Sequence, residues 1–310
     1  MEYLQNLEKA NADRVQLRDA GFSYENRTLK TITVTNGDGR TDKNVIFVDA
    51  TFHGREWLPP HAAVYLVEQL VSNFKENMDL LKDYDWIILP LVNPDGYVHS
   101  YTFNNMWRFN RKPSRNGYIG TDLNRNFGFQ WGRLDGSSRN PRSELFAGNA
   151  PFSEPESRIV RDIMHDLVVS GRGIMYITLH SYMNAILYSY DYTNRVFPKN
   201  MLNLSQVAHA GANAVIAKGG DLKAIYESYE ASGTSQDYAY CVGFPLVFTF
   251  ELPGNDFWPK KTKIDGFVKE SWTAIRAMAK KAMELYPLGT KIPKFKGKFY
   301  LNMNDKCINY

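Results

Sequence analysis

The chain has 310 residues, 44% apolar and 23% charged, with a formal charge of +4 at neutral pH. Such a composition is ordinary for a soluble globular protein, as one large α/β domain or two small ones. The mild charge and the short lysine runs, at 260–263 and at Lys291, Lys294, Lys296 and Lys298, exclude a nucleic-acid module, and no run of about 18 apolar residues is available to span a membrane.

The N-terminus, Met1-Glu2-Tyr3-Leu4-Gln5, has no basic segment leading into an apolar one, so no secretory signal is read there. The expectation is a cytosolic protein or a mature chain that has lost its signal and pro-segment. Strand-like runs rich in β-branched and aromatic residues are predicted at Thr31 to Thr35 and at Val45 to Ala50. A helix follows, opened by proline, from Pro59 to Asn77. A strand is predicted from Trp86 to Val92, and then residues 104–149 are rich in Asn, Arg, Gly and Ser and read as long surface loops. Ser153-Glu154-Pro155-Glu156 starts a helix that runs to about Leu167. A strand from Gly173 to Leu179, a helix from Lys199 to Lys218, a strand from Leu246 to Leu252 and a helix from Lys263 to Tyr286 complete the set. Several of these strands are almost continuously apolar, as strands covered on both faces are. The alternation predicts a layered α/β domain, with residues 287–310 a tail packed on it.

Two predicted strands end on residues that bind metals. Val45-Ile46-Phe47-Val48 leads into His53-Gly54-Arg55-Glu56, and Ile177-Thr178-Leu179 leads into His180. A close His/Glu pair plus one distant His leaves a fourth position for water, the plan of a catalytic zinc site. A zinc-activated water needs a base. Glu251 ends the run Val247-Phe248-Thr249-Phe250, where an acid is costly unless paired or bound to a cation. A strand-end carboxylate facing solvent is equally open at this point. Arg108 and Arg125 stand beside aromatics in loop-like sequence, and guanidinium forks bind carboxylates, although surface ion pairs are the commoner fate of arginine. His61, His99, His165 and His209 carry no such pattern and are not predicted ligands.

The set His53-x-x-Glu56, Asn93-Pro94-Asp95-Gly96, Met106-Trp107-Arg108, Asp122-x-Asn124-Arg125-Asn126, His180-Ser181-Tyr182, Tyr229 and Phe248-Thr249-Phe250-Glu251 resembles, in order and spacing, the zinc metallocarboxypeptidases of the pancreatic A/B type. The resemblance covers residues 1–286, the expected catalytic domain, and leaves 287–310 as an extension. It implies a single α/β domain with a mixed, mostly eight-stranded twisted sheet between helices. It also implies one zinc ion on His53, Glu56 and His180, with Glu251 as general base and Arg108 stabilising the oxyanion. Asn124 and Arg125 would clamp the terminal carboxylate, Tyr229 would close over it, Arg55 would lie farther out, on the carboxylate entry path or the next subsite, and Tyr182 would line the subsite across the scissile bond. The substrate would be a peptide or protein C-terminus. Proteinaceous inhibitors, a pro-segment outside this chain, a monomeric state and an extracellular location are further implications.

The pocket for the terminal side chain is the least regular part. The floor position matches Gln236, where A-type enzymes carry an apolar residue and pancreatic B-type enzymes an Asp. A wall position matches Asp191, where both usually carry Gly. The regulatory branch, which cuts basic residues, resembles this chain at both places. Lys or Arg is therefore the expected terminal residue, since a partly desolvated Asp favours a cation. Leu187, Ala224, Ala231 and Thr249 would form the neutral remainder. The alternatives are A-like release of aliphatic or aromatic residues, a zinc amidohydrolase of acylated amino acids, and a silent peptide-binding relative. The two cysteines, Cys241 and Cys307, could bridge the tail to the body or stay as buried thiols, and Asn26 and Asn203 head glycosylation sequons.

Overall fold

The structure, a computed structural model, describes residues 2–114, 117–118, 120–226 and 229–292. Its strands are β1 (Val15–Phe22), β2 (Thr28–Val34), β3 (Asn44–Ala50), β4 (Tyr84–Leu89), β5 (Gly173–Ser181), β6 (Ala185–Tyr188), β7 (Lys223–Ile225) and β8 (Leu246–Leu252). Together they form one eight-stranded sheet in the order β1-β2-β4-β3-β5-β8-β6-β7. The centre, β4-β3-β5-β8, is parallel, and antiparallel pairings join it to β2 and to β6. Every residue of β3, β5 and β8 is buried. Strands so apolar require cover on both sides, and helices supply it.

The helices are α1 (Glu2–Ala10), α2 (Leu58–Val71), α3 (Phe74–Asn77), α4 (Pro94–Thr102), α5 (Pro155–Val169), α6 (Met201–Ile216), α7 (Ser235–Val242) and α8 (Lys261–Leu285). One group, α2, α6 and α8, packs together and on β3, β5, β6 and β8; the other, α5 with α7, covers β5 and β8 separately. Close approach needs small residues: a Cβ on Gly211 of α6 would stand 2.8 Å from both Ile186 and Met278.

At the amino ends of the central strands lies a partly buried ionic cluster. Lys43, fully buried, reaches Asp38 at 2.8 Å and Asp85 at 3.9 Å, and Arg172 holds Asp85 at 2.6 Å. This ties the strand entrances together and leaves their carboxyl ends for chemistry, where ligands bind in open α/β sheets.

The long predicted helix Pro59 to Asn77 is two helices, broken at Asn73, which leaves helical geometry (φ −99°, ψ 40°). The described residues of 104–149 are irregular as expected, apart from a 3₁₀ turn at Leu123–Arg125 and a bridge between Ser138 and Phe146. Cys241 is buried and disulfide-bonded, so the free-thiol alternative falls for that residue. Cys307 and most of the predicted tail lie outside the described residues.

Trp86 is fully buried in β4 and its Nε1 donates to the Leu80 carbonyl at 3.1 Å. Trp86→Ala removes the largest side chain of the core and orphans that carbonyl, so it should cost about 3–5 kcal/mol in denaturant unfolding. A loss below about 1 kcal/mol would show that the sheet collapses into the space without penalty.

Candidate metal centre and active-site cleft

His53 follows β3, His180 is the penultimate residue of β5, and Glu251 lies near the end of β8, in register with His180. The parallel arrangement thus delivers all three to one edge of the sheet. Glu56 joins them because the turn after His53 is held down. A Cβ on Gly54 would stand 2.4 Å from the Gly96 carbonyl and 2.9 Å from that of Trp107. With only hydrogen there, Gly54 N donates to Arg108 O at 3.0 Å and its carbonyl accepts from Ser100 Oγ at 2.6 Å. Asn93 completes the anchor, accepting from Gly96 N while donating to the carbonyls of Phe52 and Phe109.

Ligand atoms of His53, Glu56 and His180 all lie within 4.8 Å of one another, and all three residues are buried. His53 Nδ1 is 2.6 Å from Glu56 Oε1 and 3.2 Å from His180 Nδ1, which is 3.1 Å from Glu56 Oε2. His53 Nε2 faces Asp122 Oδ1 at 3.0 Å. A carboxylate there fixes the proton on Nε2 and leaves the Nδ1 lone pair for the cluster. Two ring nitrogens and a carboxylate converging in a buried space share at most a proton or two between them; a divalent cation satisfies all three. The residues therefore fit zinc, with its N and O ligands. Burial by itself would raise Glu56, but His53 and His180 outweigh it and hold the carboxylate below its ordinary range.

Beside this cluster opens a cavity of about 300 Å³. Arg108, Asn124, Arg125, Leu187, Asp191, Tyr229, Ala231, Thr249 and Glu251 all line it, with Tyr182 at the rim. Arg108 places Nε and Nη2 on Asp122 Oδ2 at 3.0 and 2.7 Å. Asn124 Oδ1 accepts from Ser235 N at 2.9 Å, which leaves its amide nitrogen as the end for a ligand. Arg125 is steadied by the carbonyls of Gly136 and Asn124, at 2.6 and 2.8 Å. Tyr229 is about half exposed, and desolvation together with the nearby Glu251 pushes its phenol up to about 12.

The acids of the cavity differ. Burial pushes Glu251 up to about 7, against the pull of His180. Burial likewise pushes Asp191 up to about 6. Asp122 is also buried, but Arg108, His53 and Arg125 hold it well below the carboxylate range.

Two expected pocket residues sit elsewhere. Gln236 is fully buried behind the wall rather than in the lining, and its Nε2 donates to Asp191 Oδ1 at 2.8 Å. Ala224 is on β7, paired with Ile186 and packed on the core, outside the lining, because the short strand turns it to the sheet. Arg55, expected farther out than the pocket, is outside the lining, its guanidinium 4.6 Å from the ring centre of Phe257, which does line the cavity, and 3.5 Å from Glu144. Sequence reasoning missed Phe257, Met183, Ser181 and Thr234 in the lining, and the bridging role of Asp122. An acid opening the block Asp122-x-Asn124-Arg125-Asn126 was the only signal for the last.

Comparison with known proteins agrees with this geometry. The zinc carboxypeptidase family matches residues 1–274. Carboxypeptidase B of Helicoverpa zea is 34% identical over 304 residues, covering 92% of this chain and 70% of the relative. The structure of carboxypeptidase A from Helicoverpa armigera superposes with a TM-score of 0.82 at 34% identity, over 91% of this chain and 72% of that one. That of bovine thrombin-activatable fibrinolysis inhibitor, solved with a tick carboxypeptidase inhibitor, gives 0.85 at 30% identity, over 92% and 95%. A family match over most of the length, joined to a buried His-Glu-His cluster on the carboxyl edge of the sheet, makes this chain a metallocarboxypeptidase of the zinc carboxypeptidase family.

Proposed function

We propose that the enzyme releases single C-terminal residues from peptides and prefers Lys or Arg. The observation that carries the preference is Asp191, a carboxyl in the cavity wall that burial strains and that no basic side chain of the protein pairs with among the described hydrogen bonds and ion pairs. A cationic substrate side chain would supply the missing partner.

Residues 1–286 form the catalytic domain in this reading, with 287–310 an extension. His53, Glu56 and His180 hold zinc, which supplies Lewis acidity and a nucleophilic water near neutral pH. Asn124 and Arg125 grip the terminal carboxylate, which restricts cleavage to the last peptide bond. Tyr182 and Arg55 serve the residues upstream of that bond, and Tyr229 closes over the substrate. Glu251 takes a proton from the attacking water as oxygen bonds to the carbonyl carbon. It returns that proton to the departing amine as the C–N bond breaks. Arg108 faces the oxygen on which negative charge develops. Leu187, Ala231 and Thr249 give the pocket neutral walls, and Gln236 orients Asp191. The disulfide at Cys241 supports an extracellular location. The same cleft suits proteinaceous carboxypeptidase inhibitors, as the tick inhibitor suits the bovine relative. The enzyme is expected to act as a monomer.

Peptides differing only in the last residue test the preference. Lys-ended peptides should be cleaved faster than Phe- or Leu-ended ones; the reverse order would remove the assignment. Asp191→Ala should lower kcat/KM on Lys-ended peptides by about 30- to 1,000-fold, the cost of leaving a buried charge unpaired, with little effect on Leu-ended ones.

The Asp191 carboxyl, raised to about 6, gains a proton as pH falls through that value and then offers a cation nothing. Selectivity for Lys over Leu should therefore decline on acidification through about pH 6 and stay level above it. A flat selectivity ratio between pH 5 and 8 would exclude Asp191 from the pocket's charge.

Glu251→Gln should lower kcat by about 10²- to 10⁴-fold while zinc content stays near one per chain. Chelation should abolish wild-type activity and added zinc restore it. Full activity in zinc-free protein would end the mechanism.

A further inference from the structure

Aromatic side chains continue past the cleft across the surface. Tyr182 and Phe257, both lining the cavity, have ring centroids 5.1 Å apart. Phe257 leads to Trp258 at 6.5 Å, Trp258 to Trp57 at 6.2 Å, and Trp57 to Tyr101 at 6.0 Å. The rings come from the end of β5, the loop between β8 and α8, the turn before α2, and α4. No periodicity of one element explains the row. The outermost ring, Tyr101, is 72% exposed, so core packing does not account for it. Trp57 is held in place by its Nε1, which donates to Ser100 Oγ at 3.0 Å. Tyr182 and Tyr101 at the two ends are exposed and Phe257, Trp258 and Trp57 between them are half-buried, and apolar surface that stays accessible across several elements marks an interaction site.

The row is continuous with the cleft, and that decides its occupant. With Tyr182 serving the residues upstream of the scissile bond, as in the proposed function, a peptide whose last residue fills the cavity leaves it past Tyr182 and its neighbour Phe257. An extended chain presents the same face every two residues, an advance of about 6.8 Å. The ring steps of 5.1–6.5 Å are close to that repeat.

We propose that Trp258, Trp57 and Tyr101 extend the cleft into an upstream track that binds apolar or aromatic side chains at alternate positions of an extended peptide substrate. The proposal rests on reading the cleft as the peptidase site. It gives the enzyme a second criterion beyond the terminal residue: long, unfolded peptides with upstream hydrophobic residues are favoured over short ones.

Three substrates with the same last two residues test it: an acylated dipeptide, an octapeptide with Leu and Phe at alternate upstream positions, and an octapeptide with Ser and Gly there. The apolar octapeptide should show a KM about tenfold below that of the polar one, the worth of one or two aromatic contacts. Tyr101→Ser, at an exposed position that cannot unfold the protein, should shrink that ratio, and adding Trp258→Ala should bring it near one. Both variants should keep the wild-type kcat/KM on the dipeptide. Equal KM for the two octapeptides, or an unchanged ratio in the variants, overturns the track while leaving the peptidase reading intact. No cleavage of any of the three overturns both.

Discussion

One buried carboxylate organises the active site. Asp122 is fully buried, and its two oxygens serve His53 Nε2, Arg108 Nε and Nη2, and the backbone N–H of Asn124. His53 of the metal cluster, Arg108 of the cavity wall and the turn carrying Asn124 and Arg125 therefore share one anchor. Desolvating that charge is expensive, and only the surrounding donors offset it. The irregular region 104–149 is tied to the body through Asp122 and His53, and also through hydrogen bonds from Gly54 N to Arg108 O, Asn93 Nδ2 to Phe109 O and Phe127 N to Gly233 O, each at 3.0 Å. Loss of the carboxylate would disturb the ligand's tautomer, the arginine's position and the clamp together, and such coupled effects do not add.

Glu56, Asp122 and Glu251 are buried and Asp191 is half-buried, yet their protonation diverges. Glu56 and Asp122 each face histidines or arginines that hold them ionised. Glu251 and Asp191 face the cavity, where burial is less fully opposed, and both rise. The division separates fixed charges that position from groups that can exchange a proton or await a partner. Finding acids whose surroundings push them apart in this way is a route to assigning roles.

The sequence made the centre of the sheet legible because β3, β5 and β8 are apolar throughout and have no other stable location. Their last residues then pointed to His53, His180 and Glu251. The edges were not legible. β1 reads Val-Gln-Leu-Arg-Asp-Ala-Gly-Phe, mostly exposed, and owes its conformation to pairing with β2. β6 and β7 are too short to show a period, and α7 is buried throughout despite a mixed sequence, so neither face stands out. α4 is defined by the Asn93 cap, which was visible only as part of a motif. Spacing also could not say which of Asp191 and Gln236 meets the substrate. That depends on Gln236 turning inward to hold its neighbour, a fact of tertiary packing.

The same packing decides how much charge the pocket carries. Below Asp191 lies Asp237, fully buried, accepting the backbone N–H groups of Asp191 and Tyr192 and the Ser189 hydroxyl. Two acids so close cannot both ionise cheaply, and burial with repulsion from Asp191 pushes Asp237 well above the carboxylate range. Asp191 rises less, because it opens on the cavity and receives hydrogen bonds from Thr234 and Gln236. The negative charge therefore resides on the acid nearer the substrate, and the deeper one fixes the backbone that presents it. The cavity wall offers one charge rather than two, and Gln236 in place of an acid keeps it so.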